Sequence, residues 1–430
     1  MYALAIDLGT TTLAVSLVDT SSGKRLAMAG AMNPQRRFGA DVVARLDAAV
    51  HAEEALLEMS SMIRAELLRL GRDVCDNAGV AWADVRQAAI AGNPAMQHIL
   101  LGLPVKSLAY PPYRPLFTSG KAISASEIDW PGEAAVYIFP MPGGFVGGDT
   151  VAFLYGQQPL TVSVDRARDS YGSRSPDHGP RLYLDMGTNG EMALVAGDTI
   201  WATSAAAGPA FEGGNLSCGM AALPGAISSV RIADEKVRIA VIGDKTPIGI
   251  CGSAAIEAVA GMLCSCVLER TGRLRDAAEI PSNLAARVMS QNSENAFVIY
   301  RDAKQLLMLT QSDIRQIQLA KGAIRAGLEV LFDRSGILPD GLEQVVLTGS
   351  FGAVLMPECL KTVGIFDENM VKKTLFIPEG ALAGAELLLC RDGGIQEVES
   401  LAARFKVIPL SGTPLFESLF LKNIDFPQQL

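Results

Sequence analysis

The sequence predicts an α/β protein built from two related halves, and three observations predict it. An apolar strand that ends in Asp, one further residue, Gly and Thr opens the chain at Leu4-Ala5-Ile6-Asp7-Leu8-Gly9-Thr10-Thr11-Thr12. The same pattern returns at Leu182-Tyr183-Leu184-Asp185-Met186-Gly187-Thr188-Asn189-Gly190. Between and after the two copies, short apolar runs alternate with helical spacing, and 430 residues exceed what one typical core holds.

Residues 2–6 and 13–18 read as apolar strands around the turn Gly9-Thr10-Thr11-Thr12, which makes a hairpin. Over 53–70, Leu56, Met59, Met62, Ile63, Leu67 and Leu70 fall at helical spacing and predict an amphipathic helix. A strand at 88–91 ends in Gly92-Asn93-Pro94, with a helix over 95–101. The stretch 160–181 carries Asp, Arg, Ser, Gly and Pro and too few apolar residues to bury a core, so it reads as a surface loop. The expected domains are therefore 1–160 and 181–430, with a flexible junction at 161–180. Late in the chain, Val345-Val346-Leu347-Thr348-Gly349-Ser350-Phe351-Gly352 is an apolar strand running into a Gly-rich turn.

Composition excludes several classes. A net charge of −9 and the lack of a basic stripe argue against nucleic-acid binding, which needs clustered Lys and Arg. The opening residues lack a basic leader, and no 18 apolar residues run together, so a soluble, cytoplasmic protein without membrane contact is expected. The seven cysteines show no regular spacing and read as reduced thiols. Cys264 and Cys266 form one close pair, but His is scarce and no second pair sits at ligand spacing, so packed thiols are the reading there.

The repeated motif carries the chemistry. Gly lets backbone N–H groups approach a polyphosphate, Thr adds a hydroxyl, and Asp holds Mg²⁺ directly or through its waters. One such loop is also a plain hairpin turn; two in equivalent halves are far more specific. Asp7, Gly9, Thr10, Thr11 and Thr12 are the candidate residues of one loop, and Asp185, Gly187, Thr188, Asn189 and Gly190 those of the other. Both Asp residues are candidate metal-holding and catalytic carboxylates. Lys321 falls on the apolar stripe of Ile314, Ile317, Ile324, Leu328 and Leu331, where a charge wants a partner: a nucleotide lining role or snorkelling to the surface would each supply one.

The order of the two Asp-x-Gly-Thr loops and the late Gly-Ser-Phe-Gly resembles the actin, sugar kinase and heat-shock chaperone superfamily. Longer stretches resemble the reductive activators of corrinoid proteins: Asn33-Pro34-Gln35 with Phe38-Gly39-Ala40-Asp41-Val42, Gly92-Asn93 with Met96 and His98, the segments 185–191, 206–214, 217–220 and 249–253, and Gln318-Leu319-Ala320-Lys321-Gly322. The likeness covers nearly the whole chain. It implies two actin-like, ribonuclease H-like domains with a nucleotide cleft between them, and ATP with Mg²⁺ as ligands. The implied activity is ATP-dependent reduction of a cobalt(II) corrinoid protein to cobalt(I) for methyl transfer.

The resemblance also implies roles for single residues. Gly349, Ser350 and Gly352 would flank adenosine, and Glu212, Gly213 and Gly214 would contact nucleotide. Asp149, at the N-cap of a helix after Gly143-Gly144-Phe145-Val146-Gly147-Gly148, would orient water against the terminal phosphate or simply cap the helix. In the family, electrons arrive through an N-terminal two-iron ferredoxin-like domain. No ferredoxin spacing of cysteines is found here, so no iron–sulfur cluster and a separate electron donor are expected. A homodimer is left open. The same loops would also serve a small-molecule kinase or a non-catalytic, ATP-gated interaction protein. His98 reads as a packed residue, Cys218 and Cys251 as either packed residues or functional thiols, and Tyr110-Pro111-Pro112-Tyr113-Arg114-Pro115 as a rigid loop.

Overall fold

The computed structural model describes residues 1–157, 179–349 and 355–428. Most of the expected junction, together with Ser350 and Gly352, lies outside the described residues. The strands are β1 (Tyr2–Leu8), β2 (Thr12–Asp19), β3 (Lys24–Met32), β4 (Val85–Gly92), β5 (Lys121–Ser124), β6 (Ala135–Ile138), β7 (Arg181–Met186), β8 (Asn189–Ala196) and β9 (Thr199–Ala206). They continue as β10 (Ala226–Ala233), β11 (Lys236–Val241), β12 (Gly249–Ile250), β13 (Val288–Gln291), β14 (Glu294–Arg301), β15 (Leu306–Thr310), β16 (Gln344–Thr348), β17 (Thr374–Phe376) and β18 (Phe405–Val407).

Two six-stranded sheets share one plan. The first has the order β3-β2-β1-β4-β6-β5 and the second β17-β16-β7-β8-β9-β18, so that β9-β8-β7-β16-β17 repeats β3-β2-β1-β4-β6. In the first, β1, β2 and β3 form an antiparallel meander, while β1, β4 and β6 run parallel. In the second, β16 and β17 are parallel like β4 and β6. The internal repeat read from two nine-residue motifs is thus a repeat of sheet topology.

One compact unit comprises Met1–Tyr183, Ala193–Thr203 and Ile377–Ile408. Its central strand β1 is apolar except at Asp7, as a strand flanked on both sides requires, and Ala3, Leu4, Ala5, Ile6 and Leu8 are buried. The Glu53–Ala78 helix lays Leu56, Met59, Ile63, Leu67 and Leu70 toward this sheet. It runs two turns beyond the predicted 53–70, because Val74 and Cys75 continue the buried stripe until Gly79 ends it in the left-handed region at φ 66°. A second pair of helices, Gly148–Gly156 and Gly380–Cys390, packs backbone to backbone: a Cβ at Gly384 would lie 1.8 Å from the Ala152 carbonyl oxygen.

The other unit comprises Leu184–Met192, Ser204–Phe376 and Pro409–Leu430. It adds two three-stranded sheets, β11-β10-β12 and β13-β14-β15. Its spine is the Gln311–Ser335 helix, started by a capping box in which Thr310 and Asp313 bind each other's backbone N–H groups. The predicted stripe of Ile314, Ile317, Ile324, Leu328 and Leu331 is fully buried. Among the described residues no helix is long and apolar enough to cross a membrane.

Candidate functional site

The first Gly/Thr loop joins β1 to β2 and is held from behind by two buried asparagines. A Cβ at Gly9 would lie 2.3 Å from the Thr12 carbonyl oxygen, so the turn itself demands glycine. Asn33 Nδ2 donates to the Gly9 carbonyl at 2.9 Å, and the Asn33 backbone N–H donates to the Thr11 carbonyl at 2.8 Å. Asn93 Nδ2 donates to Thr10 Oγ1 at 2.9 Å while its Oδ1 caps the Pro94–Leu100 helix by accepting from the Met96 N–H at 3.0 Å. That second bond fixes which end of the amide faces Thr10. Behind Asn33, the fully buried Arg45 donates to the Gly39 carbonyl at 3.1 Å and to Gln35 Oε1 at 3.3 Å, and Gln35 in turn donates to the Met59 carbonyl.

This polar support escapes the motif reading. Asn33, Gln35 and Asn93 stand in the sequence as pieces of a resemblance, with no role attached. The available signal was the doubled Asn-Pro: both asparagines cap a helix that opens on proline, Asn33 through the Gln35 N–H and Asn93 through the Met96 N–H. Arg45 gives no such signal, since an arginine in an amphipathic segment normally faces water.

Asp149 lies in the same neighbourhood. A Cβ at Gly147 would fall 2.5 Å from Asn93 Cα and 2.6 Å from the Gly92 carbonyl oxygen, so the segment leading to Asp149 is pressed onto the Asn93 cap that binds Thr10. The sequence placed Asp149 at the N-cap; the structure puts Gly147 there and Asp149 second in the Gly148–Gly156 helix. The difference has a physical cause, for only a glycine fits the contact at 147. Asp149 Oδ1 accepts from the Thr150 N–H at 2.7 Å. Burial nevertheless pushes its carboxyl up to about 6, the Thr150 hydrogen bonds offsetting only part of that rise.

The second loop joins β7 to β8, and here a carboxylate replaces the asparagines. The buried Thr188 donates its hydroxyl proton to Glu212 Oε2, which brings Glu212 against Gly187 and Thr188 as one cluster. Gly187 has no left-handed backbone, and a Cβ there would make only ordinary contacts, 3.6 Å from the Asn189 carbonyl oxygen and 3.7 Å from Glu212 Oε1. The fold does not demand glycine at 187, which fits close approach by a ligand such as a phosphate. Gly190 differs, since a Cβ there would meet Ile324 at 2.7 Å. Gly213 combines φ 82° with the Met220 backbone at 2.3 Å, and Gly214 abuts Pro209 at 2.5 Å. Gly349 follows β16 with φ 146°.

Lys321 is 1% exposed, so it does not snorkel. Its amine donates to the Asp425 carbonyl and lies 5.2 Å from the centre of the Phe426 ring. Burial lowers it to about 8. His98 is buried, donates from Nδ1 to the Pro94 carbonyl at 2.7 Å, accepts at Nε2 from the Leu116 N–H at 3.1 Å and stacks on Phe117. It is a neutral packing residue whose pKa burial lowers. Among the described residues no group of three or more His, Cys, Asp or Glu could hold a metal.

Residues 180–430 match the family described as the C-terminal domain of RACo, the ASKHA domain, and residues 2–158 match the RACo middle region. The corrinoid activation enzyme RamQ of Eubacterium limosum is 30% identical, with 99% of this chain and 70% of that protein aligned. The [Co(II) methylated amine-specific corrinoid protein] reductase of Methanosarcina barkeri is 25% identical over 99% of this chain and 77% of its own. A solved reductive activator for corrinoid, iron-sulfur protein superimposes with a TM-score of 0.88 at 27% identity, covering 99% of this chain and 66% of that one. With both family regions matched and the actin-like fold shared, the chain belongs to the RACo family of reductive activators of corrinoid proteins.

Proposed function

We propose that this chain is an ATPase that uses nucleotide binding and hydrolysis to bring an inactive cobalt(II) corrinoid protein to the cobalt(I) state used in methyl transfer, with electrons from a separate donor. The observation that carries it is the repeated Asp-x-Gly-Thr loop, set at the same place in two sheets of one topology, in a chain whose relatives bear the names of corrinoid activators. Gly9 to Thr12 and Gly187 to Asn189 are the residues for the phosphates, Asp7 and Asp185 those for Mg²⁺ directly or through water, and Gly349, Ser350 and Gly352 those for adenosine. Neither crowding nor a left-handed backbone demands glycine at 187, which leaves close approach by a phosphate as a reason for it. Mg²⁺ when bound offsets the negative charge of the phosphates.

Asp149 acts as the base that orients water. A carboxyl raised to about 6 is still mostly ionised at neutral pH and accepts a proton more readily than an ordinary aspartate. Glu212 fixes the Thr188 hydroxyl, and Lys321, whose amine donates to the Asp425 carbonyl, lines the nucleotide site. ATP helps an unfavourable reduction only if the nucleotide-bound chain binds the corrinoid protein differently from the free chain. The irregular spacing of the seven cysteines fits a reducing, cytoplasmic setting.

The test is ATP turnover by the purified chain, alone and with a cobalt(II) corrinoid protein and a reduced ferredoxin or chemical donor, following cobalt(I) absorbance. Partner-stimulated hydrolysis with cobalt(I) formation is the expected result. ATP binding without either signal across a range of corrinoid partners would overturn the assignment.

A further inference from the structure

The side chain of Gln97 is fully buried, and among the described residues neither its Nε2 nor its Oε1 has a hydrogen-bond partner. A carboxamide in that state is costly to bury, whereas its helix, Pro94–Leu100, is otherwise well satisfied at both ends. Its position is specific. Gln97 is one turn on from Asn93, the residue whose amide binds Thr10 of the first loop. Its Nε2 would be 2.5 Å from a Cβ at Gly148, so the carboxamide lies directly against the opening turn of the nine-residue Gly148–Gly156 helix. That helix begins on Gly147, which has no side chain to cap it, and its second residue is Asp149.

We propose that Gln97 is a positioning residue for Asp149, acting through a buried water held between the Gln97 carboxamide and the first turn of the Gly148–Gly156 helix. This rests on the reading of Asp149 as the base. A buried water needs two to four polar partners. The amide offers a donor and an acceptor, and in the turn, where Asp149 takes the Thr150 N–H and the Gly147 carbonyl accepts from the Val151 N–H, the Gly148 N–H is the donor offered. The glycine at 148 is explained by the same arrangement, because any larger residue would displace the amide and press on Phe139, whose Cβ is also 2.5 Å from that position. Held in this way, the helix start fixes where the Asp149 carboxylate points, and the Asn93 contact ties the same turn to the loop that binds phosphate.

A double-mutant cycle on the full chain tests it. Gln97→Met keeps the length and removes both polar atoms. Expected is a fall in ATP turnover of between about tenfold and a hundredfold with the KM for ATP unchanged, the size associated with a misplaced reacting group. In the Asp149→Asn background, Gln97→Met should have no further effect. Equal losses in both backgrounds would mark Gln97 as merely structural and overturn the proposal. So would full turnover in Gln97→Met while Asp149→Asn is impaired. Full turnover in Asp149→Asn would instead remove the base reading itself, and this proposal with it. If Gln97→Met does not fold, a high-resolution crystal structure of the unmodified chain decides: water bonded to the Gln97 amide and to the Gly148–Thr150 turn supports the proposal, and its absence refutes it.

Discussion

Replacing Asp149 by asparagine should make the chain more stable and less active at neutral pH. Burial moves the carboxyl from 3.8 to about 6. Between those values the folded chain keeps a proton that the unfolded chain has released, so stability falls as the pH rises through that window. Above it, the ionised carboxylate costs the fold roughly 3 kcal/mol, since each pH unit of a window about two units wide contributes ~1.4 kcal/mol. Asparagine has the same shape, can still accept from the Thr150 N–H that Oδ1 holds at 2.7 Å, and carries no charge. Urea denaturation at pH 7.5 should therefore show the variant more stable by about 1–3 kcal/mol. Near pH 4 the advantage should have largely gone, since the wild-type carboxyl is then mostly neutral in the fold. ATP turnover should drop by about a hundredfold or more with nucleotide affinity kept. A variant less stable at pH 7.5, or an advantage of equal size at both pH values, would refute the argument that this carboxylate is held at a cost for its function.

Asp185→Ala should abolish binding of Mg·ATP in calorimetry, and unchanged affinity would remove the second loop from the nucleotide site. Comparing wild type with Lys321→Met between pH 8 and 10.5 isolates the buried amine, which burial lowers to about 8 from 10.5. The unfolded chain there holds the proton and the folded chain does not, so wild type should gain about 3 kcal/mol on the variant as the pH rises; parallel curves would mean the amine is not desolvated. Gly384→Ala would place a Cβ 1.8 Å from the Ala152 carbonyl oxygen and should cost at least about 2 kcal/mol in thermal or urea unfolding, whereas Gly341→Ala, with nothing within 4 Å, should be close to neutral.

Much of the fold was legible because the informative elements are the repetitive ones. A strand apolar at every position, Asp at its end and Gly-Thr after it leave little choice, and Asp7 and Asp185 end corresponding strands of two sheets with one order. The helix over 53–70 was visible for the same reason, and its last two turns were missed only because Gly71 and Asp76 interrupt the pattern that Val74 and Cys75 carry on. The meander strand β3 gave no signal: Lys24 and Arg25 open it, and its side chains are exposed or half-buried throughout. For the site, loop residues could be picked out, but what supports them could not. Asn33 and Asn93 act on the loop from 24 and 83 residues away, and nothing local distinguishes a buried amide from an exposed one.

The two loops have diverged in a way that their sequences hide and their hydrogen bonds reveal. Thr10 Oγ1 accepts from the Asn93 amide, so its own proton remains to be donated. Thr188 Oγ1 donates to the Glu212 carboxylate, so it can meet any further group only as an acceptor. One loop therefore presents a hydroxyl suited to a phosphate oxygen. In the other, the threonine proton is already committed to the Glu212 carboxylate. The same strand, turn and glycine occur twice, and a single neighbour of each, an amide or an acid, gives the two threonines opposite hydrogen-bonding roles.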